Sequence, residues 1–314
     1  MAGSGTPVRL GTAGWTDPTL IKSGRFYPKG TSSAEARLRY YASQFPLVEV
    51  DATYYYLPRE GQAGLWVERT PPDFTFNVKA FSLLTGHPTQ RKAVPEDLLE
   101  LVDEQHREKP RLYASHLPQE AVDEVWRRFH EALLPLDSAG KLGAVLLQYP
   151  EWFTPRHASR EELRRIRERL PGYQVGVELR NRSWMADRDR DRTLGLLAEL
   201  DLPLVCVDMP QGFRSSMPPL AEVTSPDLAV VRFHGRDREA WTHQGPTAGP
   251  RFRYLYREEE LREWVPRIDH LAASARQVHV VMNNCWSDYA VVNARQLADL
   301  LDQSKAKVEV VRAG

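Results

Sequence analysis

The stretch FPLVEVDATYYYLP, from Phe45 to Pro58, decides the fold. It begins like a buried β-strand, yet it carries Glu49 and Asp51 at alternate positions. Because successive strand side chains point to opposite faces, these two carboxylates share one face, and Val48 and Val50 share the other. Buried carboxylates cost on the order of several kcal/mol unless they are paired or hydrated. A hairpin strand with a solvated face is one interpretation. We favour a functional site, because similar polar positions recur in most other apolar runs.

Eight strand-like runs alternate with helix-like segments along the chain. The strand-like runs are PVRLGTAGW from Pro7, LVEVDATYY from Leu47, FTFNVKAF from Phe74, LGAVLLQYP from Leu142, YQVGVELRN from Tyr173, LPLVCVDMP from Leu202, LAVVRFHGR from Leu228 and VHVVMNNCW from Val278. Such alternation indicates βαβ units and a parallel sheet. Eight units in 314 residues predict an α/β fold, a (β/α)8 TIM barrel of eight parallel strands. A doubly wound open sheet is the alternative.

We interpret residues 1–314 as one TIM-barrel domain, because no linker or low-complexity segment interrupts the chain. The connection between the third and fourth strands is enlarged, with an insertion at about residues 86–120. The run from Ala80 to Lys141 is about twice an ordinary βα connection. Within it, PEDLLELVDEQHREK and QEAVDEVWRRFHEALLPL both have helical patterns. We expect the segment from about Gly86 to Leu117 to form a partial lid at the C-terminal mouth of the barrel.

Local signals predict where several helices begin and end. Ser32 or Ser33 precedes AEARLRYY, and Ser159 precedes REEL, so each is a candidate N-cap. Pro171 and Gly172 should end the helix EELRRIRERL before the fifth strand.

Composition limits the classes of function and partner. Lys plus Arg and Asp plus Glu both number 42, so the bulk charge does not favour nucleic acid or a membrane surface as a partner. Cys206 and Cys285 have neither metal-ligand spacing nor the number for a disulfide framework. No run of about 18 apolar residues occurs, and the N-terminus lacks an export signal, so we expect a cytoplasmic protein. The sequence leaves the oligomeric state open.

Polar residues concentrate toward the C-terminal ends of the strand-like runs, where barrel enzymes build their active sites. Alternation places these on inward faces: Glu49, Asp51, Asn77, Lys79, Gln148, Glu178, Arg180, Asp208, Arg232, His234 and Asn283 or Asn284. We expect eight of them to converge in one pocket. The eight are Asp51, Lys79, Glu178, Arg180, Asp208, Arg232, His234 and Asn283. Within it, Glu178 should contact Arg180, Arg232 or Lys79.

Each of these residues also has a purely structural interpretation. Glu178 and Arg180 could be a buried ion pair that fixes the fifth strand. Lys79 could do the same for Asp51, and His234 alone would be an ordinary core histidine. The side-by-side asparagines could be turn residues, and the aromatics after the first two strands could be loop packing. The joint occurrence at one rim is what favours a site.

No cofactor motif is present, and we predict no metal. GTAG after the first strand lacks the rest of a dinucleotide fingerprint, and neither a GxSxG elbow nor a Walker A sequence occurs. A divalent-metal-dependent hydrolase is an alternative, with Glu178, Asp208 and His234 as ligands. Three neighbouring cations oppose it, namely Lys79, Arg180 and Arg232. Cations and amides instead suit an anionic ligand.

The motifs resemble one known family over nearly the whole chain. They are, in order, GTAGW, FYP, VEVDATYYYLP, FTFNVKA, LLQYPEWF, VELRNRSW, FHGR and NNCWSDYAVVNA, and they resemble domain-of-unknown-function family 72, the YecE-like proteins. The resemblance implies a TIM barrel and brings no established reaction. Members usually show N-S-T-F-Y where this chain has Asp51-Ala52-Thr53-Tyr54-Tyr55. Strand eight commonly ends in FNN, where this chain has Met282-Asn283-Asn284.

The favoured hypothesis is a cofactor-independent hydrolase or isomerase that acts on a phosphorylated or carboxylated small molecule, or on a phosphodiester. Glu178 and Asp208 would be general acid and base, and His234 a proton shuttle. Lys79, Arg180 and Arg232 would stabilise negative charge. The other substrate contacts would come from Asp51, Gln148 and Asn283, with Trp15 and Tyr54 as a stacking wall.

The alternative is a binding module without catalysis. The same cations and aromatics would then hold an anion or a single-stranded nucleic-acid end. Nucleic acid stays possible but is not favoured, given the zero net charge. Replacement of Glu178 would discriminate the two, because an enzyme would lose turnover and a binding module would keep its affinity.

Overall fold

Eight parallel strands form the barrel in the computed structural model, which describes residues 5–242, 249–304 and 307–314. They are β1 Thr6–Ala13, β2 Leu47–Val50, β3 Thr75–Lys79, β4 Leu142–Gln148, β5 Val175–Glu178, β6 Val205–Asp208, β7 Ala229–Phe233 and β8 Val278–Met282. Their order around the sheet is β5, β4, β3, β2, β1, β8, β7 and β6. A parallel bridge between Val177 and Leu204 joins β5 to β6. The predicted α/β TIM barrel is confirmed.

Helices connect the strands. They are α1 Pro18–Ser23, α2 Ala34–Ala42, α3 Gln62–Glu68, α4 Glu96–Leu99, α5 Gln119–Ser138, α6 His157–Arg164, α7 Ile166–Arg169, α8 Asp187–Glu199, α9 Arg238–Trp241, α10 Glu258–Arg262, α11 Val265–Ala272 and α12 Tyr289–Gln303. Single 3-10 turns occur at Ala52–Tyr54, Ser82–Thr85, Arg91–Ala93, Ala114–His116, Arg182–Met185 and Gly249–Phe252. Of the helices in the described ranges, none combines the length and the apolar character needed to cross a membrane.

Two of the three predicted helix boundaries are confirmed. Ser33 is the N-cap of α2, and its hydroxyl accepts a hydrogen bond from the Ala36 amide at 3.0 Å. Gly172 follows α7 with φ of +80°. The Ser159 prediction is wrong, because α6 already begins at His157, after Arg156 in an extended conformation.

The insertion contains less helix than its pattern predicted. α5 forms over the second helical pattern, whereas the first contributes only α4. Beyond α4, the Asp103 carboxylate accepts hydrogen bonds from the backbone amide and the ring of His106, at 3.0 and 2.5 Å. Such local side-chain bonds compete with helical backbone bonds.

The insertion packs at the C-terminal end of the barrel. Its residues Thr89–Gln90 and Arg111–Leu112 pair as a short antiparallel ribbon. The His87 ring contacts Tyr54 and Trp152, with ring centroids 5.4 and 6.1 Å apart. Because Tyr54 follows β2 and Trp152 follows β4, these contacts place the start of the insertion over the C-terminal rim.

β1 is the most crowded strand of the barrel. It pairs with β2, with β8 and, at its start, with a further strand, β9 Val308–Val311. Gly11 lies opposite Leu47 in the β1–β2 register. A β-carbon at Gly11 would lie 1.9 Å from the Leu47 carbonyl oxygen. Only glycine lets these two backbones approach so closely.

We expect Gly11→Ala to destabilise the protein by at least about 3 kcal/mol, since backbone and not a flexible side chain must move. Gly195→Ala is the matched control: Gly195 is an exposed residue within α8, with open space around its α-carbon. Gly195→Ala should stabilise the protein by about 0.5–1 kcal/mol, because alanine has a higher helix propensity than glycine. Urea unfolding measures both variants. Equal midpoints for Gly11→Ala and the wild type would contradict the packing described here.

Candidate functional site

A buried arginine lies between two buried glutamates in the upper part of the barrel. Arg232 of β7 donates from Nη2 to Glu49 Oε1 at 2.5 Å and from Nη1 to Glu178 Oε2. The three side chains are 0, 1 and 0 % exposed, respectively. Charges at this depth persist only when they are paired and hydrogen-bonded. This triad ties β2 and β5 to β7 through the barrel interior.

Glu178 is the most densely bonded acid of the site. Its Oε1 accepts from Gln148 Nε2 at 2.6 Å and from Arg180 Nε at 2.5 Å, and His234 Nε2 lies 3.2 Å away. Burial by itself raises the pKa of a carboxyl, but Arg180 and Arg232 outweigh it and hold the pKa of Glu178 well below its usual value. Glu178 is therefore ionised at neutral pH and is a poor proton donor.

His234 is a neutral imidazole held from both sides. Burial, together with the Arg180 guanidinium, lowers its pKa to about 3. Asn283 Nδ2 lies 2.8 Å from Nδ1, and Arg180 Nη2 lies 3.2 Å from Nε2. With the proton on Nε2, the ring donates to Glu178 and accepts from Asn283, so both ring nitrogens are satisfied.

Glu49 behaves differently from Glu178. Burial, with a further contribution from the Asp51 carboxylate, raises the pKa of Glu49 to about 8 against the opposing effect of Arg232. Its Oε2 is buried and has no hydrogen-bond partner among the described residues. Glu49 is therefore largely protonated at neutral pH, and it is the buried acid that can release or accept a proton.

Lys79 and Asp51 form the open end of this charge network. Lys79 Nζ lies 3.9 Å from Asp51 Oδ1 and 4.4 Å from the centroid of the Tyr54 ring. Within the described parts of the chain, Nζ makes no hydrogen bond, and Asp51 Oδ1 is buried without one. Burial lowers the pKa of Lys79. The side chains of Lys79 and Asp51 are 13 and 34 % exposed, so this end of the network reaches solvent.

Aromatic rings form the rim around that opening. Tyr54, His87 and Trp152 follow one another in edge-on contact, and Trp241 packs under the Arg180 guanidinium at 5.3 Å. Of these rings, only Tyr54 was predicted from the sequence. The other rings come from the insertion and from the loops after β4 and β7, whose positions no strand pattern fixes.

The prediction that Asp208 faces the barrel interior is wrong. In the register of β6 and β7, Val207 lies opposite Arg232 and Asp208 lies opposite Phe233. Neighbours in register share a face, so Val207 points inward and Asp208 outward. The run LPLVCVDMP is apolar on both faces, and alternation alone cannot say which face is the inner one.

Asp208 instead anchors the helical layer to the barrel. Its carboxylate accepts from the Tyr256 hydroxyl and from Trp264 Nε1, both at 2.7 Å, and from the Arg236 guanidinium. All of its oxygen positions are used by these partners, on the side of the strand away from Glu178. We therefore give Asp208 no part in the chemistry of the mouth.

Trp15 does not join the rim either. It is buried and packs edge-on against Trp66 of α3, with ring centroids 6.2 Å apart. The remaining predicted residues are brought together around the triad and its open end: Asp51, Tyr54, Lys79, Gln148, Glu178, Arg180, Arg232, His234 and Asn283. Glu49, which alternation placed on the same face, completes the group.

The proposed metal ligands do not meet. Glu178 and His234 are close together, but Asp208 faces the helices. Across the described ranges, no three side chains of His, Cys, Asp or Glu lie where they could hold a metal ion together.

The sequence matches one family nearly end to end. Residues 9–313 match the model of a family described as "Protein of unknown function DUF72". The chain is also similar to the UPF0759 protein YunF of Bacillus subtilis (strain 168), with 32% identity over 301 residues, which is 94% of this chain and 95% of that protein.

Solved structures share the fold. A DUF72 family protein from Enterococcus faecalis V583 superposes with a TM-score of 0.76 at 28% identity, over 95% of this chain and 96% of the other. One from Thermotoga maritima MSB8 gives a TM-score of 0.73 at 28% identity, over 94 and 99% of the two chains.

The pKa of Glu49 makes stability depend on pH. A carboxyl with a pKa near 4.3 in the unfolded chain and about 8 in the folded protein binds more protons when folded, between those two values. This contribution to the free energy of unfolding is fully present below about pH 4.3 and is lost as the pH rises through about 8.

We therefore expect the wild type to lose stability relative to Glu49→Gln as the pH rises from 5 to 8. The amide keeps an acceptor for Arg232 but cannot ionise. Chemical unfolding at several pH values measures the difference, with Glu68→Gln, an exposed residue of α3, as control. Parallel pH profiles for the wild type and Glu49→Gln would show that Glu49 is ionised throughout.

Proposed function

The chain belongs to the DUF72 family, and from the site in its barrel we propose that it is an enzyme that hydrolyses or isomerises a small molecule bearing a phosphate or carboxylate group. The observation that carries this proposal is the open end of the charge network. There a nearly buried amine, Lys79, and a buried carboxylate oxygen of Asp51 lie 3.9 Å apart, without hydrogen-bond partners in the described structure. Unpaired polar atoms at this depth are costly, and a bound substrate would satisfy them.

Arg180 supports an anionic substrate. One side of its guanidinium is fixed, because Nε bonds Glu178 and the plane lies on Trp241. The side chain keeps 12 % exposure at the mouth. A fixed, partly desolvated guanidinium matches the geometry of a carboxylate or phosphate. The aromatic rim, with Tyr54 and Trp152, would cover the rest of a small ligand.

Lys79 and Asp51 are the groups that we propose for proton transfer. Burial lowers the pKa of the Lys79 amine, which brings it closer to neutral pH. Asp51 would accept a proton and Lys79 would donate one, and Glu49 behind them would take part through its free Oε2. In an isomerisation, the proton that Asp51 takes from one atom is replaced on another by Lys79; in a hydrolysis, a solvent water would attack, Asp51 would take its proton and Lys79 would protonate the leaving group.

Glu178 and His234, which the sequence predicted as an acid or base and a proton shuttle, have a different role in this site. The pKa of Glu178 is held too low for acid catalysis, and the pKa of His234 too low for a proton shuttle near neutrality. Both are positioning residues here. Glu178 accepts from Arg180 Nε and so holds the guanidinium in place, and His234 supports Glu178 through its Nε2–H.

The second candidate is a binding module without catalysis. Its support is that the deepest groups, Glu178 and His234, are already satisfied by neighbours, as in a rigid ligand cradle. The two candidates differ at Lys79. An enzyme needs its amine for turnover, whereas a binding module loses only part of its affinity.

The test begins with thermal-shift binding of a panel of phosphorylated and carboxylated metabolites, followed by mass spectrometry of each ligand after incubation. For a compound that is converted, we expect Lys79→Met to lower kcat by at least about 100-fold, the usual range for a lost proton-transfer group. Its dissociation constant should rise by a smaller factor, because the lost amine is one of several contacts to the ligand. Arg180→Met should instead weaken binding by about 10-fold or more, through loss of a charge-assisted contact.

Lys92→Met is the control for both effects, because Lys92 is an exposed lysine of the insertion. Circular dichroism verifies that each variant is folded. Ligands that bind through Arg180 and return unchanged would establish the binding module in place of the enzyme. A converted compound whose kcat survives Lys79→Met would remove Lys79 from the mechanism.

A further inference from the structure

Next to the mouth lies a second cavity of about 820 Å³, which we call the arginine cleft. It is bordered by the loops that follow β4, β5 and β6, so it opens on the same end of the barrel as the mouth. Its lining includes four arginines and no acidic residue: Arg156, Arg182, Arg188 and Arg214. Its volume lies within the roughly 300–1,000 Å³ of small-molecule sites.

The arginines of the cleft are poorly neutralised. In the described part of the chain, the side chains of Arg156, Arg182 and Arg214 make neither an ion pair nor a hydrogen bond, and only Arg188 pairs with a carboxylate, that of Asp189 at 2.9 Å. Arginines elsewhere on this surface do find acids; Arg127, for example, pairs with Glu124 and Glu131. Several like charges around one cavity raise the local potential for an anion.

The backbone holds two of these arginines side by side. The amide of Arg182 donates to the carbonyl oxygen of Arg214 at 3.0 Å, which ties the loop after β5 to the loop after β6. The second loop is fixed in turn by Arg238, whose Nη1 donates to the Gln211 carbonyl at 2.7 Å and whose guanidinium lies over Phe213. The backbones that carry Arg182 and Arg214 are therefore fixed relative to each other.

The cleft adjoins the mouth through Trp241. Its indole Nε1 donates to Ser215 Oγ at 3.3 Å in the loop of the cleft, and its ring contacts Arg180 and His234 of the mouth. Trp241 therefore contacts residues of both the mouth and the loop of the cleft.

We propose that the arginine cleft binds the diphosphate or triphosphate tail of the substrate, a small molecule whose reactive end occupies the mouth. Guanidinium groups pair bidentately with phosphate oxygens, and consecutive phosphates match a row of cations better than a single carboxylate does. The cleft's affinity for such an anion follows from its charge alone. The assignment of that anion to the substrate rests on the enzyme proposed above.

Inorganic tripolyphosphate is the probe, measured by isothermal titration calorimetry on the full chain. We expect it to bind at least 10-fold more tightly than orthophosphate, and more weakly as salt rises from 50 to 200 mM, because exposed charges are screened. The double variant Arg182→Ala/Arg214→Ala should lose at least about 30-fold in affinity. The double lysine variant should retain most of it, since it keeps both charges.

Two controls locate the site. Arg276→Ala removes an exposed arginine that precedes β8 at the opposite end of the barrel and should leave the affinity unchanged. Lys79→Met should also leave tripolyphosphate binding unchanged while it abolishes turnover, so failure of the cleft and failure of the enzyme give different results. Circular dichroism confirms that the variants are folded.

Three outcomes would overturn the proposal. Tripolyphosphate that binds no better than orthophosphate would show that the arginines do not act together. Binding abolished by Arg180→Met but retained by the double alanine variant would place the anion in the mouth. A thymidine dodecamer that binds more tightly than tripolyphosphate through Arg182 and Arg214 would assign the cleft to a nucleic-acid strand instead.

Discussion

The position of Arg232 between Glu49 and Glu178 is the constraint from which the site follows. One guanidinium cannot neutralise two buried carboxylates, and the structure resolves the excess unequally. Glu178 has a second arginine and stays ionised, whereas Glu49 has no second cation bonded to it and its pKa rises. Glu178 is thus a permanent negative charge, whereas Glu49 can bind and release a proton near neutral pH, although both are glutamates on inward strand faces.

The number of hydrogen-bond partners per polar group also differs between the two sides of the site. Toward β5 and β7, both carboxylate oxygens of Glu178 and both ring nitrogens of His234 have partners: Gln148 and Arg232 bond Glu178, and Asn283 bonds His234. Toward β2 and β3, within the described residues, one oxygen each of Glu49 and Asp51 and the Lys79 amine have no hydrogen-bond partner. The hydrogen-bonded residues near β5 and β7 thus support the residues near β2 and β3 that lack partners. This is the arrangement that preorganised binding requires, because the supporting groups need not move when a ligand arrives.

Sequence alone predicted the barrel and most of the inner ring because most strands carry a marked face. In β2, β5 and β7 the charged residues at alternate positions define the inward side, and the structure agrees at Glu49, Glu178 and Arg232. β6 has apolar residues on both faces. Alternation therefore assigned Asp208, the acid at its end, to the inner face, whereas it lies on the outer one. Its true partner Trp264 lies 56 residues away on the helical layer, and no local pattern connects them.

A single bridge joins β5 to β6, whereas the neighbouring strand pairs form ladders of at least four residues. The barrel therefore has a seam, and the amide of Val177, bonded to the Pro203 carbonyl at 2.8 Å, lies on it. The loops above this seam are the ones tied by Arg182 and Arg214. An anion bound between them would hold the two loops together, because a ligand that binds only the folded arrangement adds its binding free energy to that arrangement. Occupancy of the cleft would then slow hydrogen exchange at the Val177 amide, where β5 and β6 meet.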